Sequence, residues 1–158
     1  MFGLFKSAPF IDPQLGELRR SRGAWRGALI LEPASRVPLV LDGSRNAPDP
    51  DALRMARLIP AEFPSWRGQI EQALFEHLAP YAEAVAGGEL APLAALPAIE
   101  VPSAVWTHAS VEFVHVGPLD GQLTVEIGYR VEWDEEHTLG ARIRDGKLME
   151  LCGSVLPP

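Results

Sequence analysis

From Leu123 to Trp133 every odd position is apolar: Leu123, Val125, Ile127, Tyr129, Val131 and Trp133. The intervening positions hold Thr124, Glu126, Gly128, Arg130 and Glu132. Side chains of a strand point to alternate faces, so a period of two sustained this long sends one face into a core and the other toward solvent. A helix would scatter the same residues around its circumference. The segment predicts a half-exposed antiparallel strand that needs partner strands and an apolar layer over its buried face.

Partners are legible on both sides. Val105 to Val116 reads as a preceding strand, joined through Pro118-Leu119-Asp120-Gly121. Leu139 to Arg144 and Lys147 to Leu151 flank Asp145-Gly146, a two-residue hairpin signal. The C-terminal half is thus expected to be a meander of about four strands. His108 and His115 stand seven positions apart on the first of these, which regular pleating would place on opposite faces.

A second strand-rich zone opens the chain. Asp12-Pro13 starts a turn, because the residue before proline avoids the helical region. Leu15 to Arg20, Ala24 to Glu32 and Val37 to Leu41 read as about three strands, with turns at Ser21-Arg22-Gly23 and Pro33 to Arg36. Pro38 would confine the last of them to a sheet edge.

Between the zones the period changes. Asp49 or Asp51 can cap a helix through Leu53, Met55, Ala56 and Ile59 that stops near Pro60. A longer helix begins around Pro64-Ser65. Its stripe of Trp66, Ile70, Leu74, Leu78, Tyr81 and Val85 lies on one face, Pro80 should kink it, and Gly87-Gly88 ends it. His77 sits beside the stripe as a packed or boundary residue. Glu89 to Pro102, with three prolines among alanines and leucines, reads as an ordered connection hugging the core, with no domain boundary in it. The expected fold class is α+β: a single domain over residues 1–158 whose antiparallel meander sheet carries two central helices on one face. One curved sheet is the simplest assembly, and two small sheets remain an alternative.

Composition narrows the function. A chain of 158 residues with 47% hydrophobic content can bury about two-thirds of its unfolded surface. A net charge of −7 opposes nucleic-acid binding, which uses basic stripes to neutralise phosphates, and slows approach to anionic membranes. The densest basic stretch, Arg19, Arg20, Arg22 and Arg26, reads as a solvated hairpin face. No run approaches the ~18–20 apolar residues of a membrane span, and Met1 to Lys6 has too short an apolar run for a signal peptide, so cytoplasmic residence is the default. Heavy use of Ala, Arg, Pro and Gly resembles the output of a GC-rich bacterial genome. The lone Cys152, between apolar Leu151 and Val155, reads as a small buried core residue and cannot by itself form a disulfide or a structural zinc site.

The standard catalytic motifs are absent. Gly87-Gly88 lacks the strand and lysine of a phosphate loop, and no serine occupies a Gly-x-Ser-x-Gly elbow. One constellation stands out. Trp133-Asp134-Glu135-Glu136-His137-Thr138-Leu139-Gly140 packs three carboxylates and a histidine into a short stretch between two strands. Such groups can ligate a divalent metal, or a carboxylate can orient a histidine as a base. The plain alternative is a solvated polar turn or bulge, with a structural role for His137. Trp25, near Arg22 and Arg26, could stack on a guanidinium or pack in the sheet. Trp106 could lie on the exposed face of its strand.

The run from Trp133 through Glu136-His137 and Gly140 to Asp145-Gly146 resembles the C-terminal signature of a bacterial family of domains of unknown function. Asp12-Pro13-x-Leu15-Gly16-x-Leu18 followed by Gly23-x-Trp25-x-Gly27 resembles how its members begin. The resemblance implies a cytoplasmic α+β domain without an assigned activity, of a kind for which toxin neutralisation has been considered.

Two functional expectations follow. The leading one is a non-catalytic protein-binding domain, immunity-like or regulatory, whose binding residues would include Trp25, Trp133, Glu135, Glu136 and His137. Its partner would be a protein, favoured if basic, with no nucleic acid, no membrane, no metal and no cofactor involved. The alternative is a small metal-dependent enzyme using Glu135, Glu136 and His137. Pairing of sheet edges into a homodimer is compatible with either.

Overall fold

A computed structural model describes residues 6–31, 35–89 and 98–158. Eight strands form one sheet in chain order: β1 (Phe10–Asp12), β2 (Gly16–Ser21), β3 (Ala24–Leu31), β4 (Ser35–Leu41), β5 (Ala109–Leu119), β6 (Gln122–Val131), β7 (Asp134–Arg144) and β8 (Lys147–Val155). Every neighbouring pair is antiparallel except β4 and β5, which run parallel at Leu39–Val114, Val40–His115 and Leu41–Val116. The connection between them carries a long helix, α1 (Pro50–Ala86), and a short 3-10 helix before β5. The α+β class and the single sheet stand, with the N-terminal zone holding four strands and one pairing in the middle parallel.

The two expected helices are one. Asp49 caps it through the amides of Asp51 and Ala52, Pro50 opens it, and it runs 37 residues, roughly 55 Å at 1.5 Å per residue. It continues through Pro60, Pro64 and Pro80 without a break. Each proline lies on the exposed side, so the hydrogen bonds it removes are on the solvent face. The buried residues Ala52, Ala56, Ile59, Phe63, Trp66, Ile70, Leu74 and Leu78 keep an unbroken spacing of three and four past Pro60. Burying that stripe outweighs the local loss. The helix ends at Gly87, as its sequence requires.

This stripe packs on the sheet face made by Leu39, Leu41, Val114, Val116, Val125, Ile127, Tyr129, Leu139, Ala141 and Ile143, all in one core. Odd positions of β6 are buried as the alternation requires, with Leu123 at the strand start exposed. The opposite face is more closed than a solvated face would be. Phe113 lies over Gly128, where an added Cβ would sit 2.2 Å from its ring, and Val155 leans over Gly140. Phe113 and Val40 are buried outside the main core. Glu126 accepts from Arg142, which also donates to Glu150, in a cross-strand ladder.

Several local expectations change. Pro38 is on an interior strand, but the parallel ladder begins only at Leu39, so its missing N–H costs no bond to β5. Pro102–Thr107 is a 3-10 helix, so Trp106 is off the strand and β5 starts at Ala109. Cys152 is half-buried opposite Gly140, on the face away from the helix, and is not part of the core. The turn around Pro33 and most of the spacer after Glu89 lie outside the described residues.

Candidate functional site

The acidic-His segment begins with a tight hairpin. Val131 pairs with Asp134, so Glu132 and Trp133 form the turn and β7 starts at Asp134. The next pairing is Tyr129 with Leu139. Four residues of β7, Glu135 to Thr138, therefore stand opposite the single residue Arg130. A bulge of this size throws side chains out of the sheet, a device common beside functional sites. A second bulge places Glu112 of β5 on the other side of the same arginine. Glu112 accepts from Arg130 Nε at 2.8 Å and from Thr138 Oγ1 at 2.9 Å, joining the two bulges.

Asp134 is the buried member of the segment. Its Oδ2 accepts from the Tyr81 hydroxyl of α1 at 2.9 Å, and its Oδ1 lies 2.9 Å from His137 Nδ1. Burial pushes this carboxyl up, but the bonds from Tyr81 and His137 outweigh it and hold the group below its ordinary value. Burial, and then the bond to the carboxylate, raise the Tyr81 hydroxyl. A carboxylate can only accept, so His137 Nδ1 donates in this contact. Trp133 is buried and donates its indole N–H to His77 Nδ1 at 3.0 Å. An indole can only donate, so that histidine nitrogen is unprotonated, and burial holds the His77 ring below its ordinary value, toward neutrality.

The structure thus brings Trp133 and His137 together through two helix residues four positions apart, His77 and Tyr81. Glu135 and Glu136 are exposed, and Glu136 lies near enough to Tyr81 for its charge to raise that hydroxyl further. Trp25 lies at the other end of the strands, opposite Leu41. It is fully buried, donates to the Ser44 carbonyl at 2.9 Å, and meets Phe10 edge-on. Among the described residues no group of three or more His, Cys, Asp or Glu side chains is placed to hold a metal ion. Asp134 stood in the sequence constellation but not among its expected binding residues, and the sequence reading gave Tyr81 no part in it; the i, i+4 spacing of His77 and Tyr81 was the signal that could have joined the helix to the segment.

Next to the bulge a groove of about 510 Å³ is lined by Thr107, His108, Ser110, Arg130, Glu132 and Glu135. His108 Nδ1 lies 2.5 Å from Glu132 Oε2, and the Glu132 amide donates to the His108 carbonyl at 3.0 Å. The end of the 3-10 helix and the β6–β7 turn therefore form one wall. Among the described residues no serine, threonine or cysteine hydrogen-bonds to a histidine; the histidine partners are carboxylates and the Trp133 indole.

No curated protein and no solved structure matches this chain. One family model matches residues 14–154, taking in both the N-terminal Gly-x-Trp-x-Gly element and the bulged hairpin; the chain belongs to that family, the domain of unknown function DUF6985.

Proposed function

We propose that this domain is a non-catalytic protein-binding module that takes a basic segment of a partner at the groove beside the β6–β7 bulge. The observation that carries the reading is the bulge itself, which sets Glu135 beside the rim residue Glu132 at the groove and leaves Glu136 exposed, while Asp134 and Thr138 anchor its two ends. A rigid acidic rim on a chain of net charge −7 raises the rate and selectivity of encounter with a basic partner. Regulatory and immunity-like roles both fit a module of this kind. The test compares affinity capture from native lysate by the tagged protein and by its Glu132→Lys/Glu135→Lys variant. A stoichiometric protein held by the first and lost by the second supports the reading. Capture of nothing, or of the same protein by both, overturns it.

A second reading places chemistry at His137, because Asp134 orients its ring as a carboxylate orients a general base. Calorimetric titration with Zn²⁺ and Mn²⁺ separates the two. Stoichiometric metal binding abolished by His137→Ala would put this reading first, and absence of binding removes its metal-dependent form.

A further inference from the structure

A second cleft, of about 500 Å³, opens on the helix side of Ala109 and Ser110. It is walled by Phe63 and Arg67 of α1, Trp106 of the 3-10 helix, Arg36 of β4, Val111 of β5 and Tyr129 of β6. Its volume falls in the range of small-molecule pockets. Three independent features mark it. Tyr129 is fully buried, and its hydroxyl has no hydrogen-bond partner among the described residues, a cost that folded proteins seldom leave unmet. Arg36 and Arg67 both line the cleft without a carboxylate partner among the described residues, so two guanidinium charges face one opening of an acidic chain. Finally, the platform is fixed in advance. Trp106 donates its indole N–H to Glu71 Oε2 at 2.6 Å, and the Arg67 guanidinium sits 4.8 Å above its ring.

We propose that this cleft binds a small organic carboxylate with a flat apolar body. Arg67 and Arg36 receive the carboxylate, Trp106 and Phe63 cover the body, and the Tyr129 hydroxyl gains the acceptor it lacks. A guanidinium presents a planar fork of donors that matches a carboxylate, and an aromatic floor selects a ring or short chain over a hydrated ion. This ligand is opposite in charge to the partner proposed for the neighbouring groove, so the two readings stand or fall separately.

The test is a titration of the ¹⁵N-labelled protein with 3-phenylpropanoate and, in parallel, with its neutral amide. The acid is expected to shift the Trp106 indole resonance and to bind at least about tenfold more tightly than the amide, the difference one charge-assisted contact supplies. Arg67→Gln should weaken the acid by a similar factor, whereas Arg54→Gln, on the same helix but paired with Asp51, should not. Tyr129→Phe, which removes only the hydroxyl, should keep the fold and weaken the acid several-fold. Equal binding of acid and amide, an unaffected Arg67→Gln variant, or no shift up to about 20 mM, beyond the affinity expected of a fragment this size, would overturn the proposal.

Discussion

Tyr81 Oη lies 2.9 Å from Asp134 Oδ2, a bond between residues 53 positions apart that ties the last third of the helix to the hairpin where β7 begins. The acceptor is ionised and buried, so this bond belongs to the stronger class. Tyr81→Phe should cost about 1.5–3 kcal/mol, the usual worth of a hydrogen bond to a charged group. Asp134→Ala should cost more, because it leaves the Tyr81 hydroxyl and the His137 ring without their common acceptor. Urea titration checks both: the midpoint should fall in that order with an unchanged slope. A neutral Tyr81→Phe would mean that the helix end is held by packing alone.

His77 gives stability a defined pH dependence. Burial disfavours its charged form, and the Trp133 indole occupies the nitrogen that would take the proton. The unfolded chain binds this proton near the ordinary value of 6.5, the folded protein only at lower pH. Its contribution is therefore complete above about pH 6.5 and is lost as pH falls through the folded value. Asp134 and Asp12, both held below the ordinary 3.8, add losses of the same sign at still lower pH. His77→Gln keeps an acceptor for the indole and removes the titration. Thermal melts at pH 7.5 and 5.5 should show a smaller drop for that variant than for the wild type.

Pro60 was expected to end a helix and does not. Because α1 is continuous, Pro60→Ala restores an amide able to bond the Ala56 carbonyl and removes a residue that costs about 3 kcal/mol in a helix interior. The wider unfolded ensemble takes back up to about 1 kcal/mol. A net gain of about 1–2 kcal/mol, or a Tm higher by about 3–6 °C, is expected. If the chain turned at this point, proline would be the better residue and the same change would lower Tm.

That misreading shows which information was local. The alternation of β6, the hairpin signals at Asp145-Gly146 and Arg22-Gly23, the cap at Asp49 and the stop at Gly87 act over a few residues, and all are where the sequence places them. Breaking the helix at Pro60 weighed a local bond against nothing, because the compensating burial of Ile59, Phe63 and Trp66 depends on a sheet built from residues on both sides of it. The parallel β4–β5 pairing and the role of Asp134 were hidden for the same reason. An aspartate among glutamates reads as solvated until a tyrosine from another element is placed against it. Trp25 and Trp133 were legible as large apolar groups, but not which of them would meet histidines.

Gly128 carries the last prediction. In the alternating strand it occupies a position reserved for solvent, yet it is the seat of the Phe113 ring, whose Cε1 and Cδ1 would lie 2.2 and 2.6 Å from an added Cβ. The ring is buried, 3% exposed, so it cannot swing into solvent without losing that burial. Gly128→Ala should therefore destabilise by about 1–3 kcal/mol, the range for overpacked cores, although alanine suits an extended backbone better than glycine does. Phe113→Leu shortens the side chain that causes the clash. In a double-mutant cycle the two changes should cost less together than their sum by about 1 kcal/mol or more, as contacting residues do. Strict additivity would show that the ring does not rest on this glycine and that the sheet's second face is as open as its polar pattern first implied.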